Sequence, residues 1–192
     1  MFTLCTLSTV CTLSTLSTIY FSLGTNLGDR EANLRNAIAA LAPAVRVVKE
    51  SRVYETAPWG FEDQPNFLNM VVQAETELPP LELLKFLKSL ETELGRTPTF
   101  RYGPRLIDID ILFYDDLILQ TPELTIPHPK LHERAFVLVP LADVALEWVH
   151  PVLRQTIGEI LKQTDTAGVF PFIDAEPPPH PSTALDKSNP VS

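Results

Sequence analysis

The apolar residues of this chain recur in turn at the spacing of strands and at the spacing of helices. Short or alternating apolar runs predict strands, and Asp29 can cap the first of two amphipathic helices. Two adjacent prolines open the second helix, and a glycine follows its last turn. The predicted strands cover residues 19–23, 45–55, 67–76 and 106–114, and the predicted helices cover residues 30–41 and 80–94.

These elements follow the order strand, helix, strand, strand, helix, strand. This is the β-α-β-β-α-β order of a ferredoxin-like sandwich, an α+β fold whose antiparallel sheet carries its helices on one face. A hairpin at 117–125 and helices at 131–141 and 154–163 are predicted beyond it. In the last strand, alternation predicts an open face formed by Leu106, Asp108, Asp110 and Leu112, and a core face formed by Ile107, Ile109, Ile111 and Phe113.

The two ends of the chain differ in composition from the part between them. Residues 1–18 are uncharged and rich in Ser and Thr, and residues 165–192 are rich in proline. Residues 165–192 are predicted to be a disordered tail, and residues 1–18 are predicted to be either a disordered extension or the result of a misassigned translation start. The folded domain is therefore predicted at 19–164, and we expect it to be a monomer.

The 192 residues include 15 Lys and Arg against 24 Asp and Glu, so the formal net charge is −9. An acidic chain is a poor candidate for binding nucleic acid or an anionic membrane through its overall field. With seven glycines and no glycine-rich phosphate loop, any nucleotide is held without a Rossmann fingerprint or a P-loop. Cys5 and Cys11 have no metal-binding partner nearby, and no secretory signal is recognisable, so we expect a cytoplasmic protein.

Two carboxylates and a group of arginines are the first candidates for chemistry. Asp108 and Asp110 share a strand face, where their like charges repel and favour a cation such as Mg²⁺ between them. The alternative is a pair of solvated acids on an open sheet face. Arg96, Arg101 and Arg105 lie in an acid-free loop and suit phosphate oxygens, although they could instead pair with surface acids.

Aromatic residues beside polar ones form the second group of candidates. Phe67 and Asn69 share a strand face, so a flat heterocycle could stack on the ring and pair with the amide. Alternatively, Phe67 is an edge residue covered by the preceding loop. His128 is held stiffly between two prolines and is more often structural than catalytic in such a setting. Arg134 is a further phosphate candidate, and Phe136 could face Phe67.

Four stretches that contain these residues together resemble one family, the 6-hydroxymethyl-7,8-dihydropterin pyrophosphokinases of folate biosynthesis. They are S-L-G-T-N-L-G-D (22–29), Y-E-T-A-P-W-G-F-E-D-Q-P-N-F-L-N (54–69), R-Y-G-P-R-L-I-D-I-D-I-L (101–112) and L-T-I-P-H-P-K-L-H-E-R-A-F-V-L-V-P-L (124–141). They follow the family's order and span about residues 19–160. The resemblance implies a ferredoxin-like fold and a Mg²⁺-dependent transfer of pyrophosphate from ATP to the pterin's hydroxymethyl oxygen, with release of AMP.

The resemblance also implies roles for individual residues. Asp108 and Asp110 would hold two Mg²⁺ ions, and Arg96 and Arg105 would join them as catalytic residues. The residues that would contact the pterin are Thr56, Trp59, Phe67, Asn69 and Phe136. The residues that would contact ATP are Glu91, Arg96, Arg101, Arg105, Ile111, Thr125, His128 and Arg134. The loops at 57–66 and 95–102 would close over both substrates and exclude water.

Two other classes of function are compatible with the fold. A palm-type nucleotidyl transferase or cyclase also has a ferredoxin-like core with paired aspartates, but it would release pyrophosphate in place of AMP. A regulatory ligand-binding module has the same core without catalysis, and the convergence of arginines, aspartates and aromatic rings would then be a coincidence.

Overall fold

The computed structural model describes residues 16–97 and 103–173, so the predictions for Arg101 and for residues 1–15 and 174–192 lie outside it. Its helices are α1 (Arg30–Ala40), α2 (Pro80–Glu93), α3 (Ala135–Ala145) and α4 (Ile157–Lys162). Its strands are β1 (Ser17–Thr25), β2 (Val45–Glu50), β3 (Tyr54–Thr56), β4 (Phe67–Thr76), β5 (Asp108–Tyr114), β6 (Leu119–Gln120), β7 (Thr125–Ile126) and β8 (Val169–Pro171). No helix within these residues is long and apolar enough to cross a membrane.

Local signals place the first two helices as the sequence predicts. The Asp29 carboxylate accepts a hydrogen bond from the backbone N–H of Ala32 at 2.9 Å and so caps α1. Two prolines precede the interior of α2, whose Leu83 and Leu87 are completely buried. Gly95 follows α2 with a φ of +91°, a conformation that favours glycine at a helix end.

The strands form a six-stranded antiparallel sheet in the order β5-β1-β4-β3-β8, with β2 also paired to β4. β6 and β7 form the small hairpin that the sequence predicts at 117–125. The predicted combination of helices with an antiparallel sheet is therefore confirmed. This sheet forms the floor of the candidate site.

Helices cover both faces of the sheet, so the prediction of helices on one face is wrong. α1 and α2 cover one core, which contains Phe21 and Met70. α3 and α4 cover a second core on the opposite face, around Tyr20, Val71 and Phe113. Since both sheet faces carry buried apolar residues, each requires a covering layer. The second layer comes from the elements that follow the β-α-β-β-α-β unit.

A β-bulge in the pairing of β1 with β5 reverses the predicted face of Phe113. Tyr20 pairs with Phe113 but Phe21 pairs with Ile111, so Leu112 is an extra residue in β5. The Phe113 ring therefore packs against Tyr20, with 6.0 Å between ring centroids, in the core beneath α3. The two aspartates precede the bulge and keep their predicted face.

The predicted strand at 45–55 is two strands, β2 and β3, because the residues between them bind elsewhere. The Ser51 hydroxyl accepts a hydrogen bond from the Val71 backbone N–H at 2.9 Å. Arg52 turns towards α3 and forms an ion pair of 2.9 Å with Asp143. These contacts take the chain out of the regular ladder and let it change direction before β3.

The ordered domain extends beyond both predicted limits. β1 begins at Ser17 rather than at residue 19. β8 lies in the stretch from 165 that was predicted to be a disordered tail, and it pairs with β3 at the edge of the sheet. The Phe172 N–H also donates to the Val53 carbonyl at 2.8 Å. Backbone pairing with an open sheet edge thus orders a segment whose composition alone predicts disorder.

Candidate active site

A cavity of about 410 Å³ lies between the sheet and the start of α3. Its floor is formed by β1, β4 and β5, and its walls come from the loop after β3, the end of α2 and the segment before α3. Eleven of the residues predicted from the sequence line it. They are Thr56, Trp59, Phe67, Asn69, Arg96, Arg105, Asp108, Asp110, His128, Arg134 and Phe136.

Among the described residues, three of the other predicted contacts do not line this cavity. Ile111 is buried in the core beneath α1 and α2, because strand alternation directs its side chain to the opposite face from Asp110. Thr125 lies in β7 and is half-buried away from the cavity walls. Glu91 is buried behind the wall, and Arg101 lies outside the described residues.

Asp108 is neutralised by arginines at both of its carboxylate oxygens. Its Oδ1 is 2.9 Å from the Arg96 guanidinium, and its Oδ2 binds the Arg105 guanidinium. The acid-free loop that the sequence singled out therefore supplies two cations to this carboxylate. Planar guanidinium groups in this position also match phosphate oxygens.

Asp110 is in the opposite situation, since its carboxylate has no hydrogen bond or ion pair among the described residues. Burial, together with repulsion from Asp108, raises the pKa of Asp110 from 3.8 to about 6. The positive charges of Lys88 and Arg134 oppose this shift without cancelling it. Among the described residues, the floor of the cavity thus holds one carboxylate with two ion-pair partners and one with none.

Glu91 connects α2 to the strand that carries the aspartates. Its carboxylate lies 2.9 Å from the Lys88 ammonium, binds the Arg96 guanidinium and accepts the Ile109 backbone N–H at 2.7 Å. With only 1% of its side chain exposed, it is a fixed anchor. Glu91 therefore holds two cations at the cavity wall without lining the cavity itself.

The imidazole of His128 is held in a neutral, oriented form. Its backbone N–H donates to the Leu112 carbonyl at 3.0 Å, and its Nδ1 accepts the Lys130 N–H at 3.2 Å. Burial first, and then the positive charge of Arg134, lower the pKa of His128 to about 4. Because Nδ1 is an acceptor, Nε2 carries the proton and is available as a donor.

Aromatic rings and an amide form the other end of the cavity. The Asn69 Nδ2 donates to the Thr56 hydroxyl at 2.9 Å, and both residues are almost completely buried. The Arg134 guanidinium lies 5.9 Å from the Trp59 ring and 5.6 Å from the Phe136 ring, within cation–π range. Phe67 and Phe136 both line the cavity, which leaves an apolar slot suited to a flat ring.

The structure adds residues that the search for reactive side chains did not find. Ser22, Gly24 and Lys88 line the cavity. Asn26 lies behind it and clamps Arg105, accepting its N–H at 2.8 Å while donating its own N–H to the Arg105 carbonyl at 3.1 Å. The Asn26 amide also donates to Gln64 at 2.9 Å, so one side chain connects two loops. The S-L-G-T-N-L-G-D stretch was the available signal for three of them.

The donor set at Asp108 and Asp110 fits a hard divalent cation bound together with a polyphosphate. Within residues 16–97 and 103–173, no cluster of three or more His, Cys, Asp or Glu side chains is placed to enclose a metal ion. Mg²⁺ commonly uses only one or two carboxylates and takes its remaining ligands from phosphates and water. The uncompensated charge of Asp110 is consistent with such a site.

Carboxylates, arginines and aromatic side chains line one cavity. This combination suits a class of enzyme that transfers phosphoryl groups from a nucleotide to a flat acceptor. The family model for 7,8-dihydro-6-hydroxymethylpterin-pyrophosphokinase matches residues 20–146. The chain is 45% identical over 142 residues to the 2-amino-4-hydroxy-6-hydroxymethyldihydropteridine pyrophosphokinase of Aquifex aeolicus, covering 74% of this chain and 89% of that protein. It is 50% identical over 127 residues to the Bacillus subtilis protein of that name, covering 65% and 76%. The chain belongs to this pyrophosphokinase family.

Other relatives are much longer than this chain. It is 40% identical over 168 residues to a folic acid synthesis protein of Dictyostelium discoideum, which covers 88% of this chain but only 25% of that protein. Its fold is similar to that of Plasmodium falciparum HPPK-DHPS solved with pteroate, with a TM-score of 0.65, 17% identity, and coverage of 78% of this chain and 44% of that one. At this identity the likeness concerns the fold.

Proposed function

We propose that this cavity transfers pyrophosphate from ATP to the hydroxymethyl oxygen of 6-hydroxymethyl-7,8-dihydropterin, releasing AMP, as a step of folate biosynthesis. Membership of the pyrophosphokinase family carries the reaction and makes the chain a transferase. The observation that carries the assignment of the site is that paired carboxylates and arginines share one cavity with an aromatic and amide pocket.

The end of the cavity around Asp108 and Asp110 is the proposed ATP site. Arg96, Arg105 and Arg134 would contact the polyphosphate, and the neutral His128 would donate from Nε2. Asp108 and Asp110 would hold Mg²⁺, which would supply positive charge to offset the negative charge that develops on the phosphoryl oxygens. The Glu91 anchor keeps Arg96 in place, which limits the reorganisation needed when ATP binds.

The pterin would occupy the opposite end, between Phe67 and Phe136. The amide of Asn69 and the hydroxyl of Thr56 are polar groups in an otherwise apolar slot, as recognition of a heterocycle edge requires. Trp59 and the loop after it would cover the ring and exclude water, which otherwise would hydrolyse ATP.

The chemistry requires little covalent participation by the protein. The hydroxymethyl oxygen attacks the β-phosphorus, the bond from that phosphorus to the oxygen bridging the α-phosphate breaks, and AMP leaves. The hydroxymethyl proton passes to water or to Asp110. Catalysis then rests on holding the two substrates in line and on matching the developing negative charge with Arg96 and Arg105.

We also infer that the core is ferredoxin-like. Two observations support this class: β1, α1, β2 with β3, β4, α2 and β5 follow the β-α-β-β-α-β order, and β1 and β4 are central in the sheet. In this interpretation the interrupted pair β2 and β3 stands for one strand. A monomeric state and a cytoplasmic location remain predictions from the sequence.

The direct test is to incubate the purified protein with ATP, MgCl₂ and the hydroxymethyl dihydropterin. AMP and the pterin diphosphate should form in equal amounts. Release of inorganic pyrophosphate would instead indicate a nucleotidyl transferase, and a lack of AMP would contradict the proposal. Asp110→Ala should abolish turnover while the fold survives. Asp116→Ala removes an exposed carboxylate just beyond the same strand and should leave turnover unchanged.

A further inference from the structure

Gly24 occupies a central position on the floor of the cavity. In the sheet it pairs with Asp108 of β5 on one side and with Asn69 of β4 on the other. Neighbouring strands are about 4.8 Å apart, so the Cα atoms of these two residues are separated by about 10 Å with Gly24 between them. Gly24 thus lies between the carboxylate end and the amide end of the cavity.

The backbone does not require glycine at this position. Gly28, Gly60, Gly95 and Gly168 have positive φ angles, but Gly24 does not. A glycine within a strand costs backbone entropy and contributes no packing, and it often marks a place where a ligand approaches the backbone closely. The explanation for Gly24 therefore lies in the space above it.

A side chain at this position would disturb the amide of Asn69. A Cβ atom placed on Gly24 would lie 3.2 Å from the Asn69 Oδ1, which is tighter than ordinary van der Waals contact. The Asn69 amide cannot move away without weakening a buried hydrogen bond, because its Nδ2 donates to the Thr56 hydroxyl at 2.9 Å. That hydrogen bond fixes which way the amide oxygen points.

We propose that Gly24 is a specificity-determining position: its lack of a side chain keeps the Asn69 oxygen in place for the pterin and leaves the floor open for the hydroxymethyl arm. This inference rests on the proposed function, in which the ring lies between Phe67 and Phe136 and its arm extends over Gly24 to the aspartates. Any side chain at position 24 would narrow the space for the hydroxymethyl arm and displace the Asn69 Oδ1, which accepts a hydrogen bond from the ring in the proposed site.

The test compares Gly24→Ala with Gly158→Ala. Both glycines would place a new Cβ in a tight contact, since at Gly158 the nearest atom is the Leu146 Cδ1 at 3.1 Å, but Gly158 lies in α4, away from the cavity. We expect Gly24→Ala to raise the KM for the pterin about tenfold, the effect typical of one methyl group in a binding pocket. The dissociation constant for ATP, measured without pterin, should change less than about twofold, and Gly158→Ala should change neither constant.

Thermal unfolding separates this effect from a folding defect. The preference of strands for alanine over glycine opposes the cost of the tight contact with Asn69, so Gly24→Ala should leave the Tm close to that of the unmodified protein. A rise in pterin KM together with an unchanged Tm supports the inference. An unchanged pterin KM overturns it, and so does an equal loss of affinity for both substrates.

A double-mutant cycle tests whether Gly24 acts through Asn69. Asn69→Ala alone should raise the pterin KM, and adding Gly24→Ala to it should raise the KM much less than tenfold, because the displaced group is gone. Full additivity overturns the inferred action through Asn69 but leaves the proposed function intact. If Asn69→Ala has no effect on the pterin KM, the proposed pterin site itself fails, and the inference fails with it.

Discussion

Neutralising the two aspartates should change the stability of the protein in opposite directions. Asp108→Asn and Asp110→Asn are the same chemical change at positions two residues apart on one strand face. The Asp108 carboxylate has two guanidinium partners, whereas that of Asp110 has no ion pair among the described residues. We therefore expect Asp108→Asn to destabilise the ligand-free protein and Asp110→Asn to stabilise it.

The magnitude follows from the pKa of Asp110. The difference between 3.8 and about 6 corresponds to an upper bound of about 3 kcal/mol, at 1.36 kcal/mol for each tenfold change in proton affinity. Water in the open cavity screens part of this, so we expect a gain of about 1–2 kcal/mol at pH 8. Asp108→Asn removes the anionic partner of Arg105 and one of the two anionic partners of Arg96, and it should cost about 2 kcal/mol.

The pH dependence gives a second check, and its sign is fixed by linkage. The folded state raises the pKa of Asp110, so folding is penalised only when this group is ionised in the unfolded chain. This penalty on the free energy of folding is absent below pH 3.8, grows between pH 3.8 and about pH 6, and is complete at higher pH. The gain from Asp110→Asn should accordingly be about half as large at pH 5 as at pH 8.

The assay is urea unfolding in EDTA at the two pH values, with ATP omitted because a ligand would stabilise the unmodified protein selectively. Two results would refute the reasoning. One is a destabilising Asp110→Asn in the absence of ligand. The other is a gain that does not depend on pH between 5 and 8.

Three further predictions concern the cavity walls and the core. Phe136→Ala removes one wall of the aromatic slot, so steady-state kinetics should show a pterin KM at least tenfold higher, with a smaller change in ATP affinity. Asn26→Ala removes the side-chain half of the clamp on Arg105 and the hydrogen bond to Gln64, so kcat should fall about tenfold while urea unfolding shows a loss of about 1–2 kcal/mol. Phe113→Ala opens a void beneath α3 and should cost about 3–5 kcal/mol in urea unfolding, whereas Phe170→Ala, at a side chain 65% exposed, should change stability by less than about 0.5 kcal/mol.

The elements predicted correctly are those with signals in their own sequence. Asp29 caps α1, paired prolines start α2, and apolar residues occupy every second position of β4 from Leu68 to Ala74, so each of the three could be located without tertiary information. The bulge at Leu112 has no such signal, because it exists only in the pairing of β5 with β1. One extra residue then reverses the face of Phe113.

The second layer of helices could not be placed for a related reason. α3 is apolar over most of its surface, with Val137, Leu138 and Leu141 buried, so its periodicity does not reveal which face meets the sheet. β8 contains a proline and follows a polar stretch, so its composition does not predict a strand. It is ordered by pairing with the edge of β3, which cannot be identified from the sequence. Both features depend on partners distant in the chain.

Within the site, the sequence identified residues by the reactivity of their side chains and missed those that act by other means. The charged and aromatic residues were identified because carboxylates, guanidinium groups and aromatic rings together suit only a few kinds of ligand. Gly24 matters because it has no side chain, and Asn26 matters because it forms hydrogen bonds with the Arg105 backbone. Neither residue carries a reactive group that the sequence could reveal. The assignment of Ile111 came from resemblance, and its side chain is directed into the core.

The local charges explain how an acidic chain can bind a polyanion. The net charge is −9, yet the cavity is lined by Lys88, Arg96, Arg105 and Arg134 against Asp108 and Asp110. Arg96 is shared between Glu91, which is 1% exposed and fixed by further donors, and Asp108, which is 19% exposed. A polyphosphate that competes for this guanidinium can displace the accessible partner without disturbing the buried one. The same exchange would release Oδ1 of Asp108 while Oδ2 keeps its Arg105 partner. In the proposed site, the arrival of phosphate would thus make this oxygen available, together with Asp110, to a cation.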